Sequence, residues 1–116
     1  MHIQVTHNED VKADAGLSAR IEDEVRSVLG RYESQLTAVV LNLNDLNSHR
    51  EGGGDKRVSL EARPTGHRAI AVHHEADTFE DASQGAAKKM QRRLDSVLGK
   101  RSDVKGGESI RKAGGL

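Results

Sequence analysis

Apolar residues in this chain recur at two different spacings, and the order in which the spacings alternate is the strongest constraint on what it can fold into. In "HIQVTH", Ile3 and Val5 alternate with polar residues, the period of a half-buried strand. From about Asp14 the spacing lengthens. Leu17, Ile21, Val25, Val28 and Leu29 then form one helical stripe of roughly four turns. Gly30 stands where such a helix would stop. "TAVVLNLND" returns to alternation, with Val39, Leu41 and Leu43 on one face and Val40, Asn42 and Asn44 on the other. In "RVSLEAR", Val58, Leu60 and Ala62 point inward, and Arg57, Ser59, Glu61 and Arg63 outward. "PTGH" signals a tight turn, and "RAIAVHHE" is a fourth strand with Ile70 and Val72 on one face. Thr78 and Asp81 have the spacing of a capping box. A second helical stripe follows: Ala82, Ala86, Met90, Leu94, Val97 and Leu98, ended by Gly99.

The predicted order is therefore β-α-β-β-β-α, an α+β fold. One four-stranded sheet with two helices on one face is the simplest way to bury both stripes. The last three strands are expected to form an antiparallel meander. A length of 116 residues suits one domain, and no internal repeat is visible. The domain is expected to span residues 1–101. The segment 102–116, with four glycines in fifteen residues and few apolar side chains, reads as a disordered tail.

Several function classes fit poorly. The chain has no cysteine, which removes disulfides and thiolate metal sites and suits a reducing compartment, so a cytoplasmic location is expected. No apolar run approaches the roughly 18 residues of a membrane span, and "MHIQVTHNED" has no signal-peptide pattern. The six histidines are scattered over strand ends and loops without ligand spacing, so no metal or other cofactor is expected. No serine sits in a Gly-x-Ser-x-Gly turn, and carboxylates such as Glu22, Asp23 and Glu24 lie on a helix surface. Nothing calls for an enzyme or a small-molecule substrate. The stretch "HREGGGDKR" lacks the Lys-Ser/Thr ending and the following helix of a phosphate loop. It reads as a pliable loop between the second and third strands.

The formal net charge is zero, but its distribution is uneven. Residues 1–55 carry five Lys/Arg against ten Asp/Glu, and residues 56–116 carry thirteen against eight. Local fields rather than the total steer a polyanion to a surface. The basic excess concentrates on the second helix, where Lys88 and Arg92 fall opposite the apolar stripe and Lys89 and Arg93 along its flank. Arg20 and Arg31 flank the first stripe, and Lys56 and Arg57 follow the glycine loop. Such a band either solubilises a helix or meets an acidic partner. The only aromatic side chains, Tyr32 and Phe79, sit near helix ends, which leaves no stacking platform for single strands. Recognition of structured RNA through phosphates fits better. The alternative is a small module that docks an acidic protein partner through its basic second helix.

The element order, together with "NLNDLNSHREGGGDKRVSLEARPTG" and "HHEADTFEDASQGAAKKMQRRLDSVLGK", resembles the family of ribosome hibernation promoting factors and ribosome-associated inhibitors, the sigma-54 modulation proteins. The likeness covers about residues 1–101, and it is the order and spacing of the segments that carry it. It implies a fold shaped like a double-stranded RNA-binding domain and a non-catalytic, bacterial-type protein of the stress response. Such a protein binds ribosomal RNA of the small subunit at the mRNA and tRNA decoding channel, blocks translation, stabilises idle ribosomes and is a monomer off the ribosome. The RNA-binding positions it implies are Lys88, Lys89, Arg92 and Arg93, then Arg20 and Arg31, with Lys56 and Arg57 beside the loop. The acidic run Glu22–Glu24 departs from a basic first helix. The chain resembles the short family members. Residues 102–116 do not decide between members that promote ribosome pairing and members that prevent it.

Overall fold

A computed structural model describes residues 1–7, 15–46 and 55–99. The glycine loop and the C-terminal tail lie outside these residues. Strand β1 (His2–His7) leads to helix α1 (Ala15–Leu29) and a short 3-10 helix (Gly30–Gln35). Strands β2 (Leu36–Asp45), β3 (Lys56–Pro64) and β4 (Ile70–Ala76) follow, then helix α2 (Phe79–Leu94) and one π-helical turn (Asp95–Gly99). The fold is α+β, in the β-α-β-β-β-α order that the periodicities predict.

The sheet order is β1-β2-β3-β4. β1 pairs parallel to β2, with Ile3 opposite Val39 and Val5 opposite Leu41. β2, β3 and β4 form the antiparallel meander, with Leu41 opposite Leu60 and Leu60 opposite Val72. The period-2 pattern sets the faces. Val39, Leu41, Leu43, Val58 and Ala62 are fully buried, while Asn42, Ser59 and Arg63 are exposed on the other side. On the helix side, Ile21, Val25 and Leu29 of α1 and Ala82, Ala86, Met90 and Leu94 of α2 close the core at zero exposure. Each large core side chain contributes about 1.5–3 kcal/mol by leaving water.

Helix α1 ends at Leu29 as expected, but Gly30 does not turn the chain in the left-handed region. Among the described glycines only Gly66 has a positive φ, at 73°. The backbone tightens into the 3-10 helix instead, which seats Tyr32 in the core at 7% exposure. Thr78 caps α2 as its spacing predicts: its Oγ1 accepts a hydrogen bond from the Asp81 backbone N–H at 3.0 Å.

The two helices run in the same direction. β1, β2 and β4 are mutually parallel, and each helix returns against the strand before it. Contacts between the helices advance together along both: Arg20 to Glu80, Val28 to Gln91, Arg31 to Asp95. Both helix C-termini therefore lie at the end of the molecule that carries the β3–β4 turn.

Candidate nucleic-acid interface

The outward side of α2 is basic because its apolar residues repeat at three and four and leave the intervening positions to solvent. Lys88, Arg92 and Arg93 are exposed. Among the described residues none of them has a carboxylate within ion-pair distance. Arg92 and Arg93 also lie in the last turn of α2, where cations suit the negative end of the helix dipole. Lys89 sits on the flank and behaves differently. Its Nζ donates a hydrogen bond to the His73 carbonyl of edge strand β4 at 2.9 Å.

Three of the other basic positions that the sequence singles out, Arg20, Arg31 and Lys56, are tied to acids. Arg20 reaches Glu80 on α2 at 3.1 Å. Arg31 pairs with Asp95, which also accepts a hydrogen bond from the Tyr32 hydroxyl. The phenol and then the guanidinium hold the Asp95 carboxyl below the usual carboxylate range. Burial, and then the bond to Asp95, pushes the Tyr32 hydroxyl up. Lys56 lies 2.9 Å from Asp45 and 3.6 Å from Asp55, and its Nζ sits 5.8 Å from the Phe79 ring centre. The bond to Asp45 raises the Lys56 pKa above the ordinary lysine value. Arg57 stands opposite Glu75 in the ladder, on the sheet face away from the helices.

The fold thus brings Lys88, Lys89, Arg92 and Arg93 together on one helix, with Arg31 at the same end of the molecule. Arg20, Lys56 and Arg57 lie at the opposite end. Sequence spacing could not reveal these pairings, since Arg20 and Glu80 are 60 positions apart.

Two further residues escaped the sequence reading. Gly85 of α2 faces the His74 ring, which burial and then the Lys89 charge hold below the ordinary histidine pKa. Ser83 is fully buried on α2, and its hydroxyl finds no partner among the described residues. Small side chains around it (Ala82, Ala86 and Ala87, all at zero exposure) let α2 pack closely on its neighbours.

Among the described residues no group of three or more His, Asp and Glu side chains could hold a metal ion. No helix among them is long and apolar enough to cross a membrane.

The family model for sigma 54 modulation protein / S30EA ribosomal protein matches residues 3–102. The chain belongs to this family. Two solved structures resemble this S30EA-family chain. One is a ribosomal subunit interface protein from Coxiella burnetii, at TM-score 0.70 and 16% identity, covering 85% of this chain and 99% of that one. The other is the N-terminal domain of Protein Y from Thermus thermophilus, at TM-score 0.65 and 13% identity, covering 84% of this chain and 99% of that one. At these identities the likeness establishes the fold. Comparison with curated protein sequences gives no match. The S30EA assignment agrees with the resemblance drawn from segment order and spacing.

Proposed function

We propose that this S30EA-family protein binds the small ribosomal subunit at the decoding channel and acts there, without catalysis, as a translation inhibitor that stabilises idle ribosomes. The observation that carries the reading is the exposed basic face of α2, Lys88, Arg92 and Arg93, without carboxylate partners among the described residues, on a chain of this family. Phosphate oxygens are the natural partners of such a face, because backbone charge on structured RNA is readable without aromatic stacking. Tyr32 and Phe79 are both buried, at 7% and 9% exposure, so neither is available to stack on a base or anchor a protein interface. Lys89 joins the face if its Nζ leaves the His73 carbonyl. Arg31 joins it by exchanging Asp95 for a phosphate. Arg20, Lys56 and Arg57 have the same charge but a different position, and we assign them a smaller part.

Co-sedimentation with purified small subunits across a salt series tests the reading. Roughly four phosphate contacts would lower affinity by about a hundred-fold between about 50 and 200 mM salt. The double substitution Lys88→Glu and Arg92→Glu should abolish most of the binding with the thermal melt unchanged. Wild-type affinity in that variant would show that the face is wrongly assigned. A wild-type protein that never sediments with subunits would overturn the ribosomal reading itself.

A further inference from the structure

The β3–β4 turn was expected only to reverse the chain. Its position gives it more to do. Both helices end beside it, and α2 brings Arg92 level with it: the thirteen positions from Phe79 to Arg92 rise about 20 Å, and the six from Ala76 back to Ile70 cover about the same. The turn carries His67 and Arg68, and Arg63 stands at the end of β3 beside it, all exposed. Arg68 has no carboxylate within ion-pair distance among the described residues, and Arg63 meets only Glu61 among them, a half-buried neighbour on the same face, at 3.2 Å.

The turn is also held in place. The Thr65 N–H donates to the Gln35 carbonyl at 2.9 Å, and the His67 N–H to the Pro64 carbonyl at 3.2 Å. The Thr37 hydroxyl donates to the Arg63 carbonyl at 2.9 Å, and Gly66 takes the positive φ that the reversal needs. The 3-10 helix that receives the turn at Gln35 is fastened in turn to the end of α2 through Arg31, Tyr32 and Asp95. Turn, 3-10 helix and α2 terminus are one connected piece.

Charge follows the same geometry. Among the described residues this end carries Arg26, Arg31, Arg63, Arg68, Arg92 and Arg93 against Glu33, Glu61 and Asp95. Among the described residues the opposite end carries Asp45, Asp55, Glu75, Asp77, Glu80 and Asp81 against three cations, Arg20, Lys56 and Arg57. Carboxylates thus predominate at one end and arginines at the other, each set drawn from both halves of the sequence, while Glu22, Asp23 and Glu24 lie midway along α1.

We infer that the β3–β4 turn is a second RNA-contacting element, with Arg68 and Arg63 binding phosphates of the same RNA that α2 binds, so that the interface is one basic end of the molecule and not one helix face. A pre-fixed turn loses little freedom on binding, which favours contacts from short, anchored segments. This inference rests on the ribosomal RNA reading above.

The test compares two double variants, Arg63→Gln with Arg68→Gln and Arg92→Gln with Arg93→Gln, in salt-dependent binding to small subunits. The anchors of the turn are backbone groups and the Thr37 hydroxyl, so neutralising the two arginine side chains leaves them intact, and a thermal melt checks this. The expected result is that each pair weakens binding about ten-fold or more and makes the salt slope shallower by about 2. If the turn variant binds like wild type while the α2 variant loses affinity, the turn is not an RNA element and the ribosomal reading stands. If both variants bind like wild type, the inference and the assigned α2 face fall together.

Discussion

The imidazole of His74 occupies the space that a side chain at position 85 would need. A Cβ placed on Gly85 would lie 2.2 Å from His74 Cδ2 and 2.4 Å from Nε2. A glycine in the middle of a helix costs about 1 kcal/mol relative to alanine, so its presence here has a packing reason. Strand β4 and helix α2 approach closely at that point, and the ring fills the gap. A double-mutant cycle read by thermal or chemical denaturation separates the two effects. Gly85→Ala alone should destabilise, because the ring must move. In a His74→Ala background the same change should stabilise by about 1 kcal/mol, the helix-propensity gain alone. Equal effects in both backgrounds would show that the ring and the glycine are not coupled.

The same ring makes stability depend on pH. Burial, and then the nearby Lys89 charge, depresses the His74 pKa in the folded protein, while Glu75 acts in the opposite sense and His73 adds to the depression. The unfolded chain therefore binds a proton more readily than the folded one. This raises stability with pH: it is undiminished above the unfolded value of about 6.5 and falls as the pH drops from there to the lower folded value. Melting temperatures of wild type and His74→Gln, measured from about pH 7.5 to 5, should diverge in slope. A flat wild-type profile over that range would exclude the effect.

Ser83 has a hydroxyl without a partner among the described residues, in a fully buried site. An unsatisfied buried hydroxyl costs about 1–3 kcal/mol, and alanine is both smaller and a better helix former. Ser83→Ala should raise the unfolding free energy by about 1 kcal/mol, measured by urea denaturation. A loss of stability would reveal a hydrogen bond made by the serine.

Arg31, Tyr32 and Asp95 lock the ends of the two helices together. Tyr32→Phe removes the hydrogen bond that contributes most to holding the Asp95 carboxyl low. The variant should melt below wild type at pH 7. Because the folded pKa of Asp95 is depressed, the advantage of the wild type exists above the unfolded value of about 3.9 and disappears as the pH falls through the folded value. Acid titrations of the two proteins should therefore converge at the lowest pH. A gap that persists unchanged would assign the difference to packing.

The pairing pattern ranks the arginines. Arg20 is held by Glu80 at the acidic end, while Arg92 is exposed without a carboxylate partner among the described residues. In a small-subunit binding assay, Arg20→Gln should change affinity by less than about two-fold. Arg92→Gln should weaken it several-fold and lower the salt slope by about 1. Reversal of that order would mean that the Arg20–Glu80 pair opens on binding.

The strands were legible because a period of two assigns every side chain to a face: Val39, Leu41 and Leu43 went inward on spacing alone, and so did Val58, Leu60 and Ala62. The α2 cap was legible because Thr78 and Asp81 are three residues apart. What spacing could not convey is direction and distance between elements. The parallel pairing of β1 with β2 depends on contacts between residues 36 positions apart, such as Ile3 with Val39, and nothing local encodes it. The basic face of α2 was visible as a helical band. The neutralisation of Arg20, Arg31 and Lys56 was not, because their acidic partners come from other elements. The fit of His74 to Gly85 was hidden for the same reason.

The common direction of α1 and α2 has a physical consequence for how the protein meets a charged surface. A molecule whose net charge is zero feels little overall pull in a distant field. One whose charges are sorted to its two ends feels a torque. Near a polyanion it is rotated before it is drawn in, with the arginine pole leading and the aspartate pole trailing. Orientation then precedes contact, and the encounter selects the end of the molecule that arrives first.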